Sequence, residues 1–267
     1  MKNIFKPKDK YELRELILSN VDISTINYSL ILDFSELFKG LNFIPDLSKL
    51  DTSNVTNMSS MFAYCKNFNQ NINHFNTSNV ENMSSLFQGC TSFNQPLSNW
   101  VTSNVTTMDS MFFDCIIFNQ NINNWDVSSV TTLNGMFNAC IEFNKPLYYW
   151  DVSNVTHMDS TFSHTRKFNH PLDIWDVSNV THMDFIFSTS NYKHSLKNWN
   201  FNKQINPFRI FTELETVFTS IHISVILQEL LNRKIINDFQ YNSLIIEPTK
   251  NINNVKSIFI NFYKIPK

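Results

Sequence analysis

Residues 125–149 read WDVSSVTTLNGMFNACIEFNKPLYY, and the next 25 residues, 150–174, read WDVSNVTHMDSTFSHTRKFNHPLDI. The two stretches agree in their tryptophan, in the Asp-Val-Ser that follows it, and in both central phenylalanines. A fixed period of this size is typical of repeat proteins, in which each unit buries its apolar face against its neighbours. The repeat is numbered here from position 1 at the tryptophan. Units begin at Leu50, Phe75, Trp100, Trp125, Trp150 and Trp175.

The apolar residues inside a repeat have helical spacing. Positions 9, 12, 13 and 16 follow the i, i+3, i+4, i+7 pattern, which is the apolar stripe of a short amphipathic helix. Thr106 and Asp109 form an S/T-x-x-D pair, a sequence that caps the start of many helices. In the unit that begins at Trp100, the four apolar positions are Met108, Met111, Phe112 and Cys115.

The junction between two units has the spacing of a strand. It reads Ile122-x-x-Trp125-x-Val127, which is the L-x-x-L-x-L pattern of a leucine-rich-repeat strand. We therefore predict an α/β solenoid of the leucine-rich-repeat type, with one short parallel strand and one short helix per 25-residue repeat. Because glycine is rare, asparagine is expected to supply the left-handed turns. The two candidate columns are Asn54, Asn79, Asn104, Asn154 and Asn179, and Asn69, Asn94, Asn119, Asn144 and Asn169.

The chain divides into three segments. Residues 1–25 are predicted to form an N-terminal helical cap, because the open end of a repeat array has to be covered. Residues 26–203 form the leucine-rich-type repeat solenoid. Residues 204–267 lose the repeat and are predicted to be a C-terminal cap or a small non-repeat domain, with helical spacing over residues 212–238.

Two segments of the repeat resemble a known family. Trp150-Asp-Val-Ser-Asn-Val-Thr156 and Phe93-Asn-Gln-Pro-Leu97 are similar to the BspA-like leucine-rich repeats of mollicute surface proteins and of some large DNA viruses. The resemblance covers residues 26–203. It implies a protein that binds other macromolecules, since the family is associated with surface display and binding.

Composition and charge argue against several partners. The formal net charge is −2 and the basic residues are scattered, so the basic stripe of a nucleic-acid binder is missing. No apolar run approaches the roughly 20 residues of a membrane-spanning helix. Residues 1–30 contain no secretory signal sequence. We therefore expect a cytoplasmic protein, located in the host cytoplasm if the chain is viral, with neither nucleic acid nor membrane as its partner.

No catalytic motif stands out. Gly40, Gly89 and Gly135 are too far apart to form a phosphate-binding loop, and no nucleophile lies in a known activating motif. We expect a protein that is not an enzyme and needs no cofactor or metal. An active site within residues 204–267 is the least favoured alternative.

Cysteine and histidine recur at fixed repeat positions. The cysteines occupy position 16 without the close pairing of a zinc site, so buried free thiols are favoured over metal or disulfide. His157 and His182 share position 8, where exposed residues without a function are favoured over a two-histidine metal site. The cysteine column consists of Cys65, Cys90, Cys115 and Cys140.

Aspartate recurs at position 2. Hydrogen bonds from each carboxylate to its own turn are the favoured interpretation. The alternative is an acidic stripe that binds a basic ligand or a cation. The residues are Asp51, Asp126, Asp151 and Asp176.

Binding specificity is expected at positions where the residue differs from that of the other units. Positions 24 and 25 are polar in the early units, but become Tyr148-Tyr149 and then Asp173-Ile174, and His170 changes a nearby column. Exposed aromatic side chains on a rigid scaffold are typical anchors of a protein interface. We predict a non-catalytic scaffold that binds a protein partner at these five residues. The alternative is a structural or adhesive repeat protein that self-associates or binds glycans.

Overall fold

The structure is a computed structural model that describes most of the repeat array. The described residues are 4–196, 198–202, 204–205, 209–210, 224, 227–228, 230–232, 234 and 236–245. They contain helix α1 (Lys10–Leu18), a 3₁₀-helix (Ile23–Thr25) and helix α2 (Asp238–Ile245). The helix predicted over residues 212–238 lies mostly outside this described part of the chain.

The predicted α/β solenoid, with a parallel strand and a helix in every repeat, is wrong. Within the described residues of the array, no repeat contains a helix and no strand extends beyond an isolated bridge. Residues of the predicted strand form turns instead, in which the Trp125 amide donates to the Ile122 carbonyl at 3.1 Å. Parallel bridges between successive units lie at position 8. They are Asp33–Asn57, Asn57–Asn82, Asn82–Thr107, Thr107–Thr132, Thr132–His157 and His157–His182.

Left-handed backbone at positions 11 and 15 explains why no helix forms. Ser110 has φ 55° and Asp114 has φ 58°, and a helix cannot continue through such residues. The Ser110 amide donates to the Asn134 carbonyl of the next unit at 2.7 Å. Amides between these residues close four-residue β-turns, as in the bond from the Met111 amide to the Met108 carbonyl at 3.1 Å. Along this segment, backbone amides therefore alternate between hydrogen bonds to the next unit and hydrogen bonds within local turns.

The apolar positions pack as columns of stacked rings. Phe112 lies 4.0 Å from Phe118 of its own unit and 5.8 Å from Phe137 of the next, measured between ring centroids. Trp150 and Trp175 stack with centroids 6.4 Å apart and planes 1° apart. Each such pair contributes about 0.5–1.5 kcal/mol beyond the burial of its area. Repetition along the array makes one continuous core.

The asparagine columns do not supply the left-handed turns, and this prediction is wrong. None of their residues has positive φ. At position 20 the side-chain oxygen of Asn94 accepts from the Asn119 amide at 2.9 Å. At position 5 the side-chain amide of Asn104 donates to the Ser78 carbonyl at 2.7 Å. Asparagine therefore holds neighbouring units together, because its side chain satisfies backbone groups one repeat away.

Both described ends of the array carry non-repeat contacts. Helix α1 is capped by Asp9 and buries Leu13 and Ile17 in the shared core. At the other end, the Phe187 amide donates to the Ile210 carbonyl at 2.9 Å, in the way earlier units bond to their successors. Residues 209–210 therefore occupy part of the place that a further repeat would fill.

Candidate functional site

Two exposed aromatic side chains lie next to each other on one turn of the array. Tyr148 is 43% exposed and Tyr149 is 78% exposed, with ring centroids 5.5 Å apart in an edge-to-face arrangement. Ile174 occupies the equivalent place in the next unit and is 62% exposed. We call Tyr148, Tyr149 and Ile174 the aromatic patch. The sequence prediction named all three residues, and the structure places them on adjacent turns.

The backbone beneath the patch is held by the core. The Tyr149 amide donates to the side-chain oxygen of Asn123 at 3.1 Å. The Trp150 indole nitrogen donates to the Ile122 carbonyl at 3.1 Å, and its ring is buried against that of Trp175. Because these contacts join the turn to the neighbouring unit, the tyrosine rings project from a fixed base.

The other two predicted site residues are bonded within the array. One nitrogen of the His170 ring lies 3.2 Å from the Asn144 carbonyl. The Asp173 carboxylate accepts from the side-chain amide of Asn198 at 3.4 Å. Both side chains are half-buried, so much of their polar surface is engaged with neighbouring units. A binding role for His170 and Asp173 stays a prediction.

Polar and charged side chains precede and follow the turns of the aromatic patch along the chain. Position 21, which precedes each turn, is glutamine in the early units and becomes Lys145 and then His170. The chain leaves each turn through position 2, where three successive units carry aspartate. The position 21 residues are Gln70, Gln95, Gln120, Lys145 and His170.

The aspartates of position 2 are held by their own turns, as the favoured sequence interpretation expected. The Ser128 amide donates to Asp126 at 3.0 Å, and the equivalent Ser153 amide donates to Asp151 at 3.0 Å. Hydrogen bonds from the Ser128 hydroxyl and amide lower the pKa of the Asp126 carboxyl. These carboxylates are exposed, so they also present negative charge to solvent.

The prediction of buried free thiols is confirmed. All four cysteines of position 16 are unpaired and buried. The Cys115 thiol donates to the Phe87 carbonyl of the preceding unit at 2.9 Å. Burial raises the pKa of the Cys115 and Cys140 thiols well above the ordinary value, because desolvation penalises the thiolate. This column is therefore unsuited to nucleophilic chemistry.

The histidine pair of position 8 is stacked at the surface. The rings of His157 and His182 lie 4.3 Å apart and 5° from parallel. A ring nitrogen of His157 lies 2.8 Å from the Thr156 hydroxyl, and His182 repeats this contact with Thr181 at 2.9 Å. Across the described residues, no group of three or more histidine, cysteine or acidic side chains is arranged to hold a metal ion.

Comparison with known proteins places the repeat in a family. A family model described as "Mycoplasma protein of unknown function, DUF285" matches residues 1–125 and 106–223. No curated protein matches the chain, and neither does any solved structure. Among the helices that the structure describes, none combines the length and apolar character needed to cross a bilayer.

Proposed function

This chain belongs to the DUF285 family, and from that premise we propose that it is a non-catalytic repeat scaffold that binds another protein through the aromatic patch. The observation that carries the proposal is the exposure of Tyr148 and Tyr149 on a turn whose backbone is fixed by Asn123 and Trp150. Within the family, we assign the repeat to the BspA-like type on the WDVSNVT text of residues 150–156.

Tyrosine is well suited to this role. Its side chain has two rotatable bonds, so ordering it on binding costs little conformational entropy for the apolar area that it buries. The ring also carries a hydroxyl that can bond to a partner. Because the turn is already held by the core, binding does not have to order the backbone as well. The patch therefore combines contact area with preorganisation.

The thiol column supports both the non-catalytic character and a cytoplasmic location. Cysteine chemistry requires an accessible thiolate, whereas the thiols of Cys115 and Cys140 are buried and have raised pKa values. Unpaired cysteines are also typical of reducing compartments. Fractionation of the source cells with an antibody to the chain tests the location, and recovery from the outer cell surface would contradict it.

The test of the interaction uses matched surface variants. Full-length wild-type protein, Tyr148→Ser/Tyr149→Ser and the control Ile117→Ser are immobilised and exposed to extract from the source cells. Ile117 is an exposed apolar residue outside the patch. A protein retained by the wild type and the control is then purified, and its Kd is measured for all three.

We expect the tyrosine variant to bind this protein at least about tenfold more weakly, since an anchor residue contributes about 1–2 kcal/mol or more. Equal Kd values for the wild type and the tyrosine variant, with all three proteins equally folded by circular dichroism, would show that the patch is not the binding surface.

A further inference from the structure

The turns that carry the aromatic patch, together with the turn of the preceding unit, are rich in carboxylates. Residues 120–126, 145–151 and 170–176 contain four aspartates, one lysine and no arginine. We propose that the patch binds a basic, arginine-containing segment of another protein. The inference rests on the proposed interaction role of the patch and names the class of its partner. The four aspartates are Asp126, Asp151, Asp173 and Asp176.

Apolar and acidic side chains are neighbours on these turns. Only the buried Trp150 separates the exposed Tyr149 from the exposed Asp151 along the chain. The next unit repeats this arrangement with Ile174 and Asp176. The buried tryptophan rings of the two units stack with centroids 6.4 Å apart, so the exposed side chains beside them are close enough for one partner segment to contact.

This combination occurs in one section of the array. Position 2 carries aspartate in three successive units from Asp126 onwards, whereas the preceding two units carry Asn76 and Val101 there. Tyr148 and Tyr149 lie on the turn of the middle unit of the three. The apolar anchors therefore coincide with the acidic stretch of the column.

The carboxylates of position 2 have a fixed orientation. Oδ1 of Asp151 accepts from the Ser153 amide at 3.0 Å, and its Oδ2 makes no hydrogen bond to any described residue. Hydrogen bonds from the Ser178 amide and hydroxyl lower the pKa of the Asp176 carboxyl, which therefore stays ionised at neutral pH. An ionised carboxylate with an open oxygen accepts a strong hydrogen bond from a guanidinium group.

The tyrosine rings suit the same group. A guanidinium stacks on an aromatic face by cation–π attraction and keeps its N–H groups available for hydrogen bonds. Because Tyr149 and Asp151 are two residues apart, one arginine side chain can contact both. Lysine is less suitable, since its ammonium is a compact and strongly hydrated charge that does not stack in this way.

Partners of other charge fit these turns less well. An acidic protein would bring like charges against four aspartates, and such contacts weaken association. A neutral apolar partner would bury the carboxylates without a compensating charge or donor, which is costly. A basic segment is opposed only by Lys145.

Neutral replacements in the full-length chain test the need for negative charge. The variant Asp151→Asn/Asp176→Asn removes two carboxylates from the turns. It should keep the fold, because Asn76 at position 2 of an earlier unit accepts from its serine amide at 3.0 Å in the same way. The control Asp51→Asn/Glu81→Gln removes two exposed carboxylates outside the turns and so has the same net charge.

The probe is a fluorescein-labelled octa-arginine peptide, and its Kd is measured by fluorescence anisotropy at an ionic strength of about 0.15 M. We expect the wild type and the control to bind it with the same Kd. The asparagine variant and Tyr148→Ser/Tyr149→Ser should each bind at least about tenfold more weakly, with unchanged circular dichroism spectra. Octa-lysine should bind the wild type more weakly than octa-arginine does.

Failure of the wild type to bind octa-arginine overturns the inference. It is also overturned if either the asparagine or the tyrosine variant binds the peptide as the wild type does, because the peptide is then held at another surface or by charge alone. The protein retained from cell extract is measured against the same variants. Dependence on the tyrosines without dependence on the aspartates refutes the basic partner and leaves the patch as the binding surface. Dependence on neither refutes both proposals.

Discussion

Replacement of Gly89 by alanine tests how tightly successive repeats are stacked. Gly89 lies at position 15 with φ +70°, and its amide donates to the Phe113 carbonyl of the next unit at 2.7 Å. A Cβ atom added here would lie 2.8 Å from Cδ1 of the Tyr64 ring in the preceding unit. Gly40, in the segment before Leu50, makes the equivalent bond to the Ala63 carbonyl with φ +72°, and an added Cβ there meets nothing within 4 Å.

The two glycines separate backbone strain from steric overlap. Left-handed backbone costs alanine about 1–2 kcal/mol, so Gly40→Ala should lower the free energy of unfolding by about that amount. Ala139 adopts φ 60° at position 15 of another unit, which shows that the fold tolerates this conformation. Gly89→Ala carries the same strain and must also displace the Tyr64 ring, which adds about 1–3 kcal/mol. Its total cost is therefore about 2–5 kcal/mol.

Urea denaturation followed by circular dichroism measures these differences, with the midpoint and the slope reported separately. Gly89→Ala is also made in a Tyr64→Ala background. The double-mutant cycle should return a coupling energy of about 1–3 kcal/mol between the two positions, because alanine at position 64 leaves room for the new Cβ. Equal costs for Gly89→Ala and Gly40→Ala, or a coupling energy near zero, would refute the packing argument.

Three further predictions concern the aromatic core, the loss of folding stability at acid pH and the buried thiols. Trp150→Phe keeps the stacked ring but leaves the Ile122 carbonyl without its indole donor, and it should lower the free energy of unfolding by about 1–3 kcal/mol; an unchanged urea midpoint would contradict this. The hydrogen bonds from Ser128 lower the pKa of Asp126, so they stabilise the fold at pH values above the pKa of an unfolded aspartate, and this contribution is lost as the pH falls through the lowered value. Asp126→Asn should therefore reduce the stability difference between neutral and acid pH, as measured by thermal unfolding at several pH values; the same acid dependence as in wild type would count against it. The Cys115 thiol should react with a thiol reagent only as the protein unfolds, and stoichiometric labelling of Cys115 in the native protein, identified by mass spectrometry, would show that the column is accessible.

Much of this molecule follows from the spacing of its residues. The 25-residue period, the inward tryptophan and phenylalanine columns and the buried cysteines could be predicted, because burial of apolar side chains depends on a pattern that the sequence displays directly. The aspartate turns were also predictable, since the bond from the Ser128 amide to Asp126 spans two residues. Exposure of Tyr148 and Tyr149 was predicted because positions 24 and 25 carry polar residues in the earlier units.

The secondary structure of each repeat could not be obtained in this way. The spacing of Met108, Met111, Phe112 and Cys115 fits a helix, but it also fits successive four-residue β-turns that bury the same side chains. What separates the two is the partner of each backbone amide. The Ser110 amide donates to the backbone carbonyl of Asn134 in the next unit, and the Asn119 amide donates to the side-chain oxygen of Asn94 in the preceding unit.

The sequence by itself therefore determined which side chains are buried and how often the unit recurs. Only the tertiary structure decided that the units are joined by isolated bridges and by amide bonds such as the one from Ser110 to the Asn134 carbonyl. The physical reason is that a backbone amide can bond to any carbonyl within reach. The choice between a local carbonyl and one in the next repeat depends on how the units stack.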